Sequence, residues 1–301
     1  MPSLPSLPSA TDRRHLLLGG LGGLALAAAG PLRAAEPASG IYRDADNPEA
    51  SPRWRQVRAS LWGDRPIRTI EPAAAGGASE LSVSAPRRAD DPAFVPVAWR
   101  SALASAGAPG IRRITLVIDN NPSPIAAVFD LPADGVLPQI ETRVRVDDYS
   151  FVRVIAESAD GTLRMALRHV KSSGGCSAPP GGDEAAMRAA MGRMQFRASE
   201  PAVDGQPLAL QWMVSHPNHS GMAMDQLTRH FTPAHYLRSA RLWQGDRLLL
   251  TADLDFAISE NPTLRLVFVP RGTAPLRAEV SDTQGLSWQG STPLAALATP
   301  R

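Results

Sequence analysis

The chain contains one cysteine, Cys176, within the stretch "KSSGGCSAPPGG" at residues 171–182, called the Cys176 loop below. A cysteine thiolate is a nucleophile that forms covalent bonds with sulfur and carbon electrophiles. Glycine, serine and proline surround it, a composition typical of a loop. A single cysteine excludes an internal disulfide and a zinc site built from several thiolates of one chain. The sequence therefore predicts a free thiol, exposed on a mobile loop and available for covalent chemistry.

The neighbours of Cys176 predict how its thiol is presented and activated. Lys171 is a candidate to lower the pKa of Cys176, which is ordinarily about 8.5. Because Lys171 lies several residues away, we expect a docked partner to contribute more. Glycine beside the thiol would let backbone and cargo enter a narrow channel without side-chain clashes. The flexible part of the loop is predicted to comprise Gly174, Gly175, Ser177, Gly181 and Gly182.

A second group of potential ligands follows the loop. Imidazole and thioether groups suit copper, and imidazole also suits zinc. A His-x-x-His pair on a turn lacks a fixed ligand geometry, so we expect these residues to be structural and predict no metal site. The group comprises His216, His219, His230 and His235, with Met213, Met222 and Met224 nearby.

Motifs of self-contained enzymes are absent from the sequence. It has no G-x-S-x-G, H-E-x-x-H or P-loop pattern, and a cysteine hydrolase would hold its thiol on a rigid support beside a base. We therefore predict a protein that is not an enzyme and needs no cofactor. Polar residues near predicted turns are interpreted as solvated caps and turn residues: Asp147, Asp148, Asp160, Asn121, Pro122, Asn261 and Pro262.

The first 35 residues predict a cleaved export signal. Arg13 and Arg14 precede an uncharged run from Leu16 to Ala29, and "TDRRHLLLGG" resembles the twin-arginine type. We predict a signal peptide at residues 1–35 and a periplasmic mature protein without a membrane span. The signal carries three arginines and one aspartate, so its removal takes the charge of +2 to near zero. Nucleic-acid binding then lacks an electrostatic basis.

The rest of the chain contains two β-rich regions separated by the Cys176 loop. Short β-prone segments recur every 8 to 12 residues or so between turn motifs such as "NNPSP" and "DTQG", which is typical of antiparallel sandwiches. A helix is predicted to begin at Pro52, after an N-cap at Ser51, with Trp54, Val57 and Leu61 on its apolar face. The fold class is therefore all-β with few helices.

A second helix is predicted directly after the loop. The alanine-rich segment "DEAAMRAAMGRMQFRA" favours a helix from about Asp183 to Phe196, with acidic residues in its first turn. Its methionines, Met187, Met191 and Met194, would share one face. We interpret that face as packed against the body of the protein rather than as a metal or partner surface.

Segments of both β-rich regions resemble the two subunits of the SoxYZ sulfur carrier. "LVIDNNPSPIAAVFDL", "ETRVRV" and "ESADGTL", leading into "VKSSGGC", resemble SoxY. "VSHPNHSGM", "TPAHYL", "GDRLLLTADLDFAISENPTLRLVF" and "VSDTQG" resemble SoxZ. The resemblance extends roughly from Asp90 to Gln289.

The resemblance implies two immunoglobulin-like antiparallel β-sandwich domains joined by the flexible Cys176 loop and a short helix. The implied organisation is an N-terminal helix and lead-in strand at 36–89, a SoxY-like domain at 90–171, the loop and helix at 172–200, a SoxZ-like domain at 201–292 and a tail at 293–301.

The resemblance also implies that Cys176 holds a sulfur-containing intermediate covalently and presents it to partner enzymes. Two departures, the fusion of both subunits and a "GGCSAPPGG" loop inside the chain instead of a terminal "GGCGG", look closer to SoxYZ-like carriers associated with quinoprotein dehydrogenases. The expected partners are periplasmic sulfur-oxidising enzymes and c-type cytochromes, or a quinoprotein dehydrogenase.

The alternative is a non-covalent accessory or delivery protein of a periplasmic quinoprotein dehydrogenase system. The carrier hypothesis depends on a reachable thiol, since a buried thiol on a pinned loop cannot exchange cargo.

Overall fold

The fold is described from a computed structural model, for residues 42–71, 79–102, 110–179, 181, 183–225 and 228–297. The predicted signal peptide lies outside these residues. The helices are α1 (Pro52–Trp62) and α2 (Glu184–Ala190), and the strands are β1 (Ile67–Thr69), β2 (Ser82–Ser84), β3 (Val95–Arg100), β4 (Ile111–Ile118), β5 (Ile125–Asp130), β6 (Val136–Val144), β7 (Ser150–Ser158), β8 (Leu163–Val170), β9 (Met194–Ala198), β10 (Leu208–Val214), β11 (Leu237–Gln244), β12 (Arg247–Leu254), β13 (Thr263–Phe268), β14 (Leu276–Asp282) and β15 (Ser287–Thr292).

Helix α1 begins where its capping residues predict. The Ser51 hydroxyl accepts a hydrogen bond from the backbone N–H of Trp54, and Pro52 occupies the first turn. Trp54 and Val57 are buried, as expected. The predicted third apolar contact is wrong: Leu61 is 43% exposed, and Trp62 takes the buried position instead.

The strands form two sheets, and both sheets contain strands from both β-rich regions. The first sheet has the order β1-β8-β7-β4-β5-β12-β11-β14-β15, and the second has the order β2-β3-β6-β13-β10-β9. Strand β5 pairs antiparallel with β12, and β6 pairs antiparallel with β13. The two regions are therefore joined edge to edge in both layers.

One hydrophobic core extends through both regions. It contains Trp99 and Phe129 from the first region and Trp212 and Phe268 from the second. All the described residues belong to one compact unit. Backbone pairing between the two regions and a continuous apolar interior hold this unit together. The all-β fold and its two sandwich halves are confirmed, and the structure adds that the halves share both sheets.

The second helix is shorter than expected. Asp183 caps it by accepting hydrogen bonds from the backbone N–H groups of Ala185 and Ala186, but the helix ends at Ala190. Gly192 then adopts a positive φ of 80°, and residues from Met194 form β9, which pairs with β10. The expectation of a helix reaching Phe196 with Met194 on its face is wrong, because cross-strand pairing overrides local helix propensity.

Neither α1 nor α2 approaches the length and hydropathy of a membrane-crossing helix, and the described residues contain no other candidate.

Because the halves share both sheets and one core, we expect one cooperative unfolding transition. Leu116→Ala in β4 and Leu276→Ala in β14 each truncate a fully buried side chain, one in each half. Each should lower the free energy of unfolding by about 2–5 kcal/mol and shift the whole transition. Differential scanning calorimetry tests this. Two separate transitions, each moved by only one substitution, would contradict a shared core.

Candidate functional site

The thiol of Cys176 is buried. The residue has a relative exposure of 0%, although it lies on a loop between β8 and α2. The prediction of a thiol exposed on a mobile loop is therefore wrong for this conformation. The composition of the loop was interpreted as a signal of solvent exposure, but small residues also let a loop pack closely against its own protein.

Hydrogen bonds hold the centre of the Cys176 loop against the body of the protein. The backbone N–H of Gly174 donates to the carbonyl oxygen of Asp147 at 2.6 Å, and that of Cys176 donates to Asp147 Oδ1 at 3.1 Å. The Ser220 hydroxyl donates to the carbonyl oxygen of Cys176. Asp147, which was expected to be a solvated cap, is thus an anchor of the loop.

Gly175 makes the close packing of the loop possible. A Cβ atom at this position would lie 2.2 Å from the carbonyl oxygen of Pro92 and 2.6 Å from that of Val146. Both neighbours are backbone atoms, which cannot move aside as a side chain can. Any residue with a side chain at position 175 would displace the loop from the backbone of Pro92 and Val146.

The outer parts of the loop are more exposed. Ser177 is exposed and its hydroxyl donates to the carbonyl oxygen of Gly174 at 3.2 Å. The backbone N–H of Gly181 donates to Glu260 Oε2 at 3.2 Å, so this end is also in contact with the body. Gly182 lies outside the described residues. Lys171 is exposed, while its backbone N–H donates to the carbonyl oxygen of Arg87.

Burial makes Cys176 a poor nucleophile in this conformation. Desolvation is the largest effect and, with the negative charge of Asp147, raises the pKa of Cys176 to about 12. The cation that opposes this shift is Arg145, not the predicted Lys171. At neutral pH the residue is therefore a neutral thiol, and it reacts only after its surroundings change.

Arg145 is a functional candidate that the sequence did not reveal. It is 4% exposed, and its Nη1 donates to the carbonyl oxygen of Gly175 at 3.3 Å. Burial lowers its pKa, its Nε has no hydrogen-bond partner, and it forms no salt bridge with any described carboxylate. The alternating pattern of "ETRVRV" does not distinguish Arg145 from its solvent-facing neighbours on β6.

Residues from both halves meet at the loop. Arg145 Nη2 donates to the carbonyl oxygen of Asn218 at 3.4 Å, and Ser220 follows on the same turn. The buried Asn121 side chain fixes the opposite wall, since its Nδ2 donates to the carbonyl oxygen of Arg145 and its Oδ1 accepts from the N–H of Asp147. The Cys176 loop therefore lies at the junction of the halves.

The same turn positions a buried cluster of His216, His235 and Asp282. Their potential ligand atoms all lie within 4.8 Å of one another. His235 Nε2 lies 2.6 Å from Asp282 Oδ2, and His216 Nε2 lies 3.6 Å from the same oxygen. His219 and His230, which the sequence grouped with these histidines, are not members of the cluster within the described part of the chain.

The electrostatics of this cluster keep one imidazole neutral and the carboxylate charged. Burial lowers the pKa of His216 to about 4, and His235 adds to this shift. Burial would raise the pKa of Asp282, but hydrogen bonds from His235 and from the backbone N–H groups of Leu286 and Gln284 lower it overall. Nε2 of His216 is buried without a hydrogen-bond partner. Such an atom typically costs about 1–3 kcal/mol.

The fold and the site define a two-layer β protein whose single cysteine lies between two sandwich halves. Residues 69–176 match the family model of sulfur oxidation protein SoxY, and residues 196–293 match that of sulphur oxidation protein SoxZ. The chain therefore belongs to the SoxYZ family, with both segments in one polypeptide, and the SoxY match ends at Cys176. The resemblance noted in the sequence is confirmed.

Other comparisons add little. No curated protein matches the sequence. The solved structures include a beta-glycosidase from Bacteroides vulgatus, with 9% identity, a TM-score of 0.20 and coverage of 71% of this chain and 25% of that one. A putative membrane anchored protein from Corynebacterium diphtheriae has 9% identity, a TM-score of 0.23 and coverage of 74% and 61%. This chain thus spans less than two thirds of either protein, and TM-scores this low support no argument.

Substitution of Gly175 tests whether docking of the loop controls the thiol. Gly175→Ala places a Cβ against the backbone of Pro92 and Val146, so it should displace the loop and expose Cys176. We expect iodoacetamide to alkylate the variant about tenfold faster or more, which corresponds to about 1.4 kcal/mol of docking free energy. Gly110→Ala is the matched control, since no atom lies within 4 Å of its added Cβ. Equal rates in all three proteins would show that docking does not limit access.

The pH dependence of alkylation provides an independent test. The docked thiol has its pKa raised to about 12, so docking is fully stable below about pH 9 and is lost as the pH rises towards 12. The alkylation rate of the native protein should still be rising at pH 10. In Gly175→Ala it should level off near the ordinary cysteine pKa of about 8.5. A native profile that levels off at the ordinary value would contradict burial of the thiol in solution.

Proposed function

We propose that the protein is a periplasmic carrier that holds a sulfur-containing intermediate on Cys176 and presents it to partner enzymes. The supporting observation is the coincidence of three features at one residue. Cys176 is the sole cysteine, it is the last residue of the SoxY match, and it is flanked by the glycine whose lack of a side chain lets the loop dock. In this proposal the structure described above is the closed, resting form of the carrier.

Opening of the loop is the step that makes the carrier work. The hydrogen bonds from Gly174, Cys176 and Ser220 each contribute about 0.5–1.5 kcal/mol net, since water replaces them on opening. Opening then costs a few kcal/mol, which corresponds to an open population of about 0.1–10%. A partner that binds the open loop would shift this equilibrium and return the pKa of Cys176 towards its ordinary value.

The chemistry assigned to the partners follows from the cargo. If the cargo is thiosulfate, a new S–S bond forms between Cys176 Sγ and the outer sulfur of thiosulfate. The thiol loses its proton and two electrons leave the pair of sulfur atoms. A c-type cytochrome is a suitable class of acceptor, and hydrolytic partners would then release oxidised sulfur. Because these steps belong to the partners, the carrier itself is not an enzyme.

A non-covalent accessory protein of a quinoprotein dehydrogenase is the second candidate. Burial of Cys176 is the specific observation that favours it, because a permanently closed loop would leave the thiol as a packing residue. The carrier requires the sulfur atom of Cys176 for its function. The accessory protein requires only that the side chain of residue 176 packs in the interior.

Intact-mass spectrometry of protein from the native periplasm distinguishes the two functions. The carrier should show a fraction with added mass that maps to the Cys176 peptide and disappears on reduction. Cys176→Ser should fold normally, carry no adduct and abolish sulfur-dependent growth. Ser60→Ala, at an exposed serine of α1 outside the loop, is the control and should behave as wild type. A Cys176→Ser strain with full activity would reject the carrier function and support the accessory one.

A further inference from the structure

We propose that His216, His235 and Asp282 bind a divalent transition-metal ion, with Zn²⁺ as the ion used to test it. The site is separate from Cys176, and it revises the expectation that the histidines of this region are purely structural. Two imidazoles and one carboxylate provide three ligands of the kinds that Zn²⁺ prefers, and all three residues are buried.

The unpartnered nitrogen of His216 is the first argument. Asn218 holds the other side of the ring, with its Oδ1 at 2.8 Å from His216 Nδ1. The amide of Asn218 is itself fixed, because Nδ2 donates to the carbonyl oxygen of Ile258 and Oδ1 accepts from the N–H of Leu237. The backbone N–H of Asn218 also faces Nδ1, at 3.1 Å, so Asn218 supplies both partners of this ring nitrogen. Nε2 is therefore the ring nitrogen left for a metal ion, and it lies 3.6 Å from Asp282 Oδ2.

The carboxylate is oriented in the same way. Asp282 Oδ1 accepts hydrogen bonds from the backbone N–H groups of Gln284 and Leu286. Its Oδ2 remains directed at the two imidazoles. Metal ligands are commonly held by outer hydrogen bonds of this type, which fix the ring tautomer and the carboxylate orientation before the ion arrives.

The distances require a small rearrangement. Tetrahedral Zn²⁺ with bonds of about 2.1 Å separates its ligand atoms by about 3.4 Å. The distance from His216 Nε2 to Asp282 Oδ2 is 3.6 Å, which already suits the ion. The hydrogen bond from His235 Nε2 to Asp282 Oδ2, at 2.6 Å, would have to widen. The His235 ring has room to move because it borders a cleft of about 380 Å³.

The position of the cleft also supplies access and a fourth ligand. His235 lines it together with Met187, Met191 and Pro217, while its side chain remains 11% exposed. A water molecule entering from the cleft would complete the coordination. Bound metal would link the turn that carries Asn218 to the end of β14. This link would stabilise one side of the junction between the halves.

Zinc binding is tested on untagged, chelator-treated protein with Cys176→Ser, which removes the thiol as a competing ligand. Isothermal titration calorimetry with Zn²⁺ should show one ion per chain. His216→Gln and His235→Gln should each weaken binding by more than about tenfold, or about 1.4 kcal/mol. His230→Gln is the matched control, since His230 is exposed and outside the cluster, and it should bind as the parent does.

If the ligand variants fold poorly, a crystallographic measurement still tests whether the three side chains bind Zn²⁺. Crystals of the Cys176→Ser protein soaked in Zn²⁺ should show an anomalous peak at the zinc edge between the three side chains. Absence of stoichiometric binding, a peak at another position, or equal affinity in a folded His216→Gln variant would each overturn the proposal.

Discussion

Backbone pairing of β5 with β12 and of β6 with β13 is the constraint on which the rest of the structure depends. These pairs fuse two β halves, far apart in sequence, into two continuous sheets around one core. The junction brings Arg145 and Asp147, which follow β6, next to Asn218 and Ser220 from the other half. Neither half alone contains all the residues that hold the Cys176 loop. Loss of the pairing would therefore remove the site as well as the fold.

Protection of the thiol from oxidation and its reactivity as a nucleophile require opposite environments. An exposed thiol is open to oxidation, and burial at 0% exposure shields Cys176 from it. The same burial raises the pKa of Cys176 and suppresses nucleophilic attack. In the proposed carrier, a loop held by a few hydrogen bonds would meet both requirements, because it would protect the thiol when closed and open at moderate free-energy cost. Gly175 is central to this balance, since its missing side chain allows the closed form to exist.

Charge is distributed unevenly around the thiol. Arg145 lies beside the loop with no carboxylate in salt-bridge contact among the described residues, although burial lowers its pKa. An anionic sulfur group on Cys176 would therefore meet a cation near its point of attachment. The turn that accepts a hydrogen bond from Arg145 also carries His216, so the thiol site and the buried histidine cluster share one structural element.

The sequence by itself determined the features that depend on local chemistry. Ser51 and Pro52 specified the start of α1, the acidic residue Asp183 indicated where α2 starts, and the alternating apolar segments specified an all-β fold. The motifs of both β-rich regions, together with the Cys176 loop, also carried enough information to identify the family. These signals were readable because capping, alternation and motif spacing involve residues close together in the chain.

Only the tertiary structure decided which of these residues are buried and what they contact. The composition of the loop could not show that Cys176 packs into a junction, because small residues serve exposed and closely packed loops equally. Arg145 and Asp282 carried no local signal, since their roles come from partners on loops that are distant in the sequence. Met194 likewise joined a strand rather than a helix because β10 offered a pairing edge. Such long-range contacts arise only when the chain folds, and they outweigh local preference wherever burial and backbone pairing contribute more free energy.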